Sequence, residues 1–178
     1  MLSKIRIGTA QIIPGYGISS TKKLTTENFK KIFLTAKKNK ILKIDTSELY
    51  SNSHAVIGKL AKKKMYIGTK IKLSKEITYK DTKKKVLSFY NQFYPAKLDY
   101  ILIHNFKNSN FALIKKNLNF LEKIRTEHKY FKIGVSIYDE NDFIKLKKIV
   151  KISKIEIVQL PINIFNQKFL QKKFVNFF

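Results

Sequence analysis

The stretch Ile41–Tyr50, ILKIDTSELY, opens as an apolar run, ends that run on Asp45 and sets Tyr50 in the loop behind it. Two later runs end in the same way, MYIGTK at Lys70 and LDYILIH at His104. A carboxylate, a phenol, an ammonium and an imidazole are thus each delivered at or just past the end of a short strand candidate. Ser136 closes a further run, YFKIGVS, and Gln159 closes IEIVQ. The segments between these runs are helical in period.

Working outward, Ser3–Thr9 (SKIRIGT) reads as a first strand, followed by a Gly- and Ser-rich loop that contains Pro14. Thr25 or Thr26 caps a helix in which Phe29, Ile32, Phe33 and Ala36 recur at helical spacing. After the strand Ile41–Asp45 comes a short helix, about 53–62, with Val56, Ile57 and Leu60 on one face. Strand Met65–Lys70 precedes a helix at about Tyr79–Phe93 striped by Val86, Phe89 and Tyr90. Strand Leu98–His104 precedes helix Phe111–Glu127, whose buried face is Leu113, Ile114, Leu118, Leu121 and Ile124. Strand Tyr130–Ser136 leads to a helix capped by Asp139. Strand Ile155–Gln159 and the loop PINIFNQKF lead to a helix start at the end of the chain.

Strict strand–helix alternation with short connections implies parallel strands joined by right-handed crossovers. Two architectures satisfy this, the doubly wound open sheet and the (β/α)8 barrel. No strand is followed by GxGxxG or GxxxxGK[ST], the usual markers of the first. Polar residues at successive strand ends (Asp45, Lys70, His104, Ser136, Gln159) point to one barrel mouth. The expectation is an α/β chain of (β/α)8 TIM-barrel type, incomplete, with about six β/α units in a single domain, 1–178. A full barrel takes eight units in about 250 residues.

Composition narrows the function classes. The chain has 178 residues, 44% of them hydrophobic and 13% aromatic, enough to bury a core. It has no cysteine, which excludes disulfides and thiolate chemistry. No apolar run approaches a membrane span, and MLSKIRIGTA enters a strand pattern without a signal-peptide core, so a soluble cytoplasmic protein is expected. The net charge of +25 invites a nucleic-acid reading. Against it, the only arginines are Arg6 and Arg125, whereas base readout leans on the arginine fork. The lysines are scattered over the helix candidates among abundant Ile and Asn, the trio that AT-rich codons encode, so no specific nucleic-acid partner is expected.

Asp, Tyr, Lys and His together suit proton transfer to or from oxygen. A free phenol, with a pKa near ~10, is a poor acid at neutral pH, and a neighbouring ammonium improves it by favouring the phenolate. A carboxylate paired with the lysine holds that ammonium in place, and an imidazole can orient a carbonyl by hydrogen bonding. Lys70 suits a Schiff base as well, but that leaves the proximity of Tyr50 to Asp45 unexplained. Each residue alone has a plainer reading: Asp45 as a cap, Tyr50 as packing, Lys70 as one lysine among many, His104 as a core histidine. For Ser136 and Gln159 the plainer alternative is a buried, merely hydrogen-bonded pair of side chains. His54 and His128, outside this pattern, are expected at the surface.

The ordered set resembles the aldo-keto reductases. IDTSELY is similar to their Asp-Thr-x-x-x-Tyr segment after the second strand, TK at Thr69–Lys70 to their third-strand lysine, and LDYILIH to their fourth-strand histidine. GVS at Gly134–Ser136 and VQLPIN at Val158–Asn163 match the fifth and sixth strands. The opening IGTAQIIPGYGISS resembles a bacterial branch that sits among surface-polysaccharide genes. The resemblance implies NADPH-dependent reduction of an aldehyde or ketone, sugar-derived in that branch. Tyr50 would be the general acid, Lys70 with Asp45 would lower its pKa, and His104 would orient the carbonyl. Ser136 and Gln159 would hold the nicotinamide carboxamide, with Gly8 and Thr9 approaching the cofactor and no metal involved.

Three departures accompany the resemblance: Ile137 stands where Asn is common, Ser51 where Gly is common, and His54 where Glu is common. The family's seventh strand, which stacks an aromatic on the nicotinamide, and its eighth unit, which grips the 2′-phosphate, have no counterpart here. The expectation is the N-terminal part of a longer reductase, or a truncated product that binds NADPH poorly and associates through its open barrel edges. A non-catalytic remnant and a Schiff-base lyase using Lys70 are the alternatives.

Overall fold

In a computed structural model, residues 4–12, 25–128 and 131–177 are described. The Gly-Ser loop beyond Ile12 with its Pro14, and the terminal positions Ser3, Tyr130 and Phe178 of the expected elements, lie outside the described residues.

The strands are β1 (Ile7–Gly8), β2 (Lys43–Asp45), β3 (Tyr66–Ile71), β4 (Lys97–Ile103), β5 (Lys132–Ser136) and β6 (Ile157–Gln159). They form one sheet in the order β1-β2-β3-β4-β5-β6, and every pairing is parallel. A doubly wound sheet reverses its strand order at a switch point, which places helices on both faces. Here the order never reverses, so right-handed crossovers carry every helix to the same face. The sheet is therefore a curled segment of a (β/α) barrel, six strands in extent among the described residues.

The helices follow the expected periodicity: α1 (Thr26–Lys38), α2 (Ser53–Leu60), α3 (Tyr79–Phe93), α4 (Phe111–Glu127), α5 (Glu140–Ile149) and α6 (Lys172–Val175). Each long helix starts where a side chain satisfies an orphan backbone N–H. Thr25, not Thr26, caps α1, and Asn110 caps α4. Thr78 with Asp81 and Asp139 with Asp142 form capping boxes on α3 and α5. The helix start expected at the end of the chain is the single turn of α6, preceded by a 3-10 turn, Lys168–Leu170.

The core lies between the sheet and the helices. From the strands it takes Ile44, Ile67, Ile71, Leu98, Ile101, Ile103, Ile133 and Val135, and from the helices Phe29, Ile57, Val86, Phe89, Phe93, Leu121 and Ile124. Alternation turns Gly8, Asp45, Gly68, Lys70, Tyr100 and Ser136 to the opposite, inner face. Ile32, read as part of the buried face of α1, is instead 42% exposed beside Ile7 and Ile41, since β1 has no neighbour on its outer side among the described residues. Leu113 and Tyr90 are only partly buried, while Phe93, outside the expected stripe, is fully buried.

Candidate active site

The turn after β2 is fixed by its own backbone. Thr46 N–H donates to Gly68 O, Glu48 N–H to Lys70 O and Tyr50 N–H to Ser47 O. A chain of hydroxyls ties it to its neighbours: Thr9 Oγ1 lies 2.8 Å from Thr46 Oγ1, which lies 2.9 Å from Ser53 Oγ. Tyr50 is carried inward and buried. Ser51 follows with φ 48, a left-handed conformation that favours glycine.

Lys70, on β3, is 1% exposed. Its ammonium donates to Asp45 Oδ2 at 2.5 Å and to Thr46 O at 3.2 Å. Burial lowers its pKa, and the Asp45 carboxylate works against that shift by charge and by hydrogen bond. The same ammonium sits 5.2 Å from the centroid of the Tyr50 ring. His104, just past β4, meets that ring edge-on, with centroids 5.6 Å apart. Its pKa is lowered to about 4, first by burial and then by the Lys70 charge, so the imidazole is neutral at neutral pH. Asp45, Tyr50, Lys70 and His104 form one connected cluster.

At the far side of the sheet, Ser136 and Gln159 are register partners at the ends of β5 and β6, with Ser136 Oγ 3.4 Å from Gln159 Oε1. Ile137 points the other way, fully buried in the helix-side core, and offers nothing at the mouth. Gly8 pairs in register with Asp45, and a Cβ there would meet nothing among the described residues within 4 Å. The Thr9 hydroxyl is committed to Asp45 O, 3.2 Å away, and to Thr46. Open space over Gly8 and a polar pair at Ser136 and Gln159 fit a planar carboxamide-bearing cofactor such as a nicotinamide. The Thr9 backbone is engaged as well, its N–H donating to Asp45 O at 3.1 Å and its carbonyl accepting from Ile12 N–H at 3.1 Å.

Two residues of the cluster were not singled out from sequence. Ser47 Oγ lies 2.8 Å from His104 Nδ1 and accepts from Leu49 N–H. Tyr100 donates its hydroxyl to Asp45 Oδ1 at 2.5 Å. The alternation of LDYILIH carried the signal, since Tyr100, Leu102 and His104 share a face. His54, expected at the surface, is buried: it packs edge-on against Phe89 and Phe93, and its Nε2 lies 2.8 Å from Thr69 Oγ1. The reason is its place on the inner face of α2, opposite α3. His128, at the end of α4, is exposed beside Glu127, as expected. Both arginines are engaged within the protein, Arg6 with Asp99 and Arg125 with Glu122 and Glu156. No helix among the described residues is long and apolar enough to cross a membrane.

No protein-family model matches the sequence, and no curated protein matches it. Solved structures do. An aldo/keto reductase from Brucella melitensis superposes with a TM-score of 0.68 at 20% identity, covering 97% of this chain and 61% of that one. The fold is that of the aldo-keto reductases. A Klebsiella pneumoniae aldo-keto reductase in complex with NADPH gives 0.68 at 15% identity, over 97% of this chain and 58% of that one. An aldo-keto reductase from a Medee basin deep-sea metagenome gives 0.62 at 20% identity, over 79% and 51%. The chain thus spans about three fifths of the length of the Brucella and Klebsiella enzymes.

Proposed function

We propose that residues 1–178 are a single domain supplying six of the eight β/α units of an aldo-keto reductase-type barrel. Its chemistry is the NADPH-dependent reduction of an aldehyde or ketone in the cytoplasm. The observation that supports this most is the Lys70–Asp45 pair at 2.5 Å with the Tyr50 ring 5.2 Å from the same ammonium and His104 against that ring.

Each residue then has a distinct task. Tyr50 donates the proton that the carbonyl oxygen acquires as it becomes an alcohol. The Lys70 ammonium stabilises the phenolate left behind, and Asp45 keeps that ammonium charged against the burial that opposes it. His104, neutral at pH 7, turns an imidazole N–H toward the carbonyl oxygen and orients it without competing as an acid. NADPH, when bound, supplies the hydride; Ser136 and Gln159 would hold its carboxamide, and Gly8 and Thr9 would lie beside it.

The test is carbonyl-dependent oxidation of NADPH with short aldehydes, in the protein and in Tyr50→Phe. Loss of a general acid costs typically about 10²–10⁴-fold in turnover, and that is the expected drop. Equal turnover in both proteins removes Tyr50 from its role. Turnover in neither supports a non-catalytic relative that keeps the fold. The lowered pKa of Lys70 favours a second reading, imine formation with a carbonyl substrate. Its engagement by Asp45 weighs against that reading, and borohydride trapping of substrate on Lys70 separates the two.

A further inference from the structure

Tyr100 occupies a seat built for a phenol ring. On one side is Gly68, where a Cβ would lie 1.9 Å from the ring's Cζ, so the ring fits only because that position carries no side chain. On the other side the Arg6 guanidinium stands 4.6 Å from the ring centroid, itself held by Asp99. A register shift between Ile67 and Gly68 makes this possible: Leu98 faces Ile67, Tyr100 faces Gly68, and Asp99 is the extra residue between them. Arg6 and Tyr100 thereby meet on the inner face of the sheet, directly behind Asp45.

The hydroxyl from this seat reaches Asp45 Oδ1 at 2.5 Å, while Lys70 reaches Oδ2 at 2.5 Å. The two oxygens of one carboxylate are thus claimed from different strands, β4 and β3. A carboxylate held at Oδ2 alone can turn about its Cβ–Cγ bond; one held at both oxygens cannot turn without breaking a charge-assisted hydrogen bond. We propose that Tyr100 is a positioning residue that holds the Asp45 carboxylate toward Lys70, and so acts on Tyr50 only through that pair. Burial and then the Asp45 charge push the Tyr100 phenol far above its ordinary pKa, so it remains a donor throughout the working pH range and is not a second acid. The proposal rests on the reading of Asp45 and Lys70 given above, but its geometry stands without catalysis.

The test therefore needs no turnover. Tyr100→Phe keeps the ring between Gly68 and Arg6 and removes one oxygen. In the 178-residue chain, the exchange of the buried Lys70 ammonium protons with water is followed by proton–nitrogen NMR, beside the backbone amides of β3 and β4. Loss of a hydrogen bond to a charged group corresponds to about ten- to hundredfold, so Lys70 exchange should speed by a factor in that range while the amides keep their protection. Unchanged Lys70 exchange overturns the proposal, because Asp45 is then held without Tyr100. Equal acceleration of the amides also overturns it, in favour of a general packing role. The unmodified protein offers a second measurement: a downfield hydroxyl proton from Tyr100 that disappears in Asp45→Asn. Its absence from the unmodified protein sinks the idea without any question of misfolding. Should Tyr50→Phe leave turnover intact, the mechanism fails while these two measurements still decide the role of Tyr100.

Discussion

Strands β3 and β4 run six and seven residues, whereas β1 and β6 run two and three. All four are written in the same vocabulary of Ile, Val and Leu, and their difference lies in what surrounds them. Ile101, Leu102 and Ile103 are flanked by strands on both sides and are fully buried. Ile7 on β1 is only half-buried, and its neighbours Ile5 and Ile32 are exposed, because β1 pairs with β2 alone among the described residues. The residues proposed for proton transfer, Asp45, Tyr50, Lys70 and His104, belong to β2–β4 and their loops, the part of the sheet with neighbours on both sides. The cofactor candidates Gly8, Thr9 and Gln159 belong to the edges, and Ser136 stands one strand in from β6.

The sharpest way to break this comparison is to remove one charge from each region. Asp45→Asn leaves the buried Lys70 ammonium facing a neutral partner. Breaking a buried pair by removing one partner costs about 3–5 kcal/mol, here limited by the readiness of Lys70 to shed its proton. Glu140→Gln breaks the exposed pair with Lys173 beside α6, where the loss should stay under about 1 kcal/mol. Urea midpoints of the two variants measure the contrast directly. Equal losses would mean that the centre is no better organised than the edge.

Much of this division was legible in the sequence, and the gaps have physical causes. Period-two and period-3.6 patterns located every strand and the helices α1 to α5, because burial against a second layer imposes those periods on both. The mouth residues were legible because parallel strands carry their ends to one rim. Strand length at the edges was not. SKIRIGT has the composition of a full strand, yet among the described residues only Ile7–Gly8 pair, and with β2 alone, which is a fact about the sheet and not about the segment. His54 was misread as a surface residue because its burial depends on Phe89 and Phe93 of another helix. Tyr100 was passed over although alternation sets it on the face of His104, because the Gly68 seat that receives its ring appears only once β3 and β4 are paired.

His54 supplies the next test, at the joint of α2, α3 and β3. Its pKa is lowered by burial from 6.5 to about 4. Below pH 6.5 the unfolded chain takes up a proton that the folded chain refuses, so stability is complete above that pH, falls between 6.5 and about 4, and levels off below. A shift of this size corresponds to at most about 3 kcal/mol. His104 works in the same window and direction. His54→Gln should therefore flatten the decline in unfolding free energy between pH 6.5 and 4 without abolishing it. A decline as steep as in the unmodified protein would place the imidazole in water and dissolve this part of the central block.

The smallest effect belongs to the side beyond β6, which has no strand neighbour among the described residues. Asn163 and Asn166 pair across a tight turn, and Asn163 Oδ1 accepts from both Phe165 N–H and Asn166 N–H. That turn thrusts Ile164 and Phe165 outward, Phe165 being 98% exposed. In dilute protein Phe165→Ser removes almost no buried area, and the unfolding free energy should move by no more than about 0.5 kcal/mol. At high concentration the outcome should differ. An exposed Ile-Phe tip beside an edge strand invites a second copy, while the net charge of +25 holds copies apart. Added salt screens that charge, so the mass measured by sedimentation should rise with salt in the unmodified protein and rise less in Phe165→Ser. A mass that ignores both salt and substitution would show that charge alone governs this edge. A destabilisation well above 1 kcal/mol in dilute protein would show that the tip is already covered, and that the two sides of the sheet differ less than their strand lengths suggest.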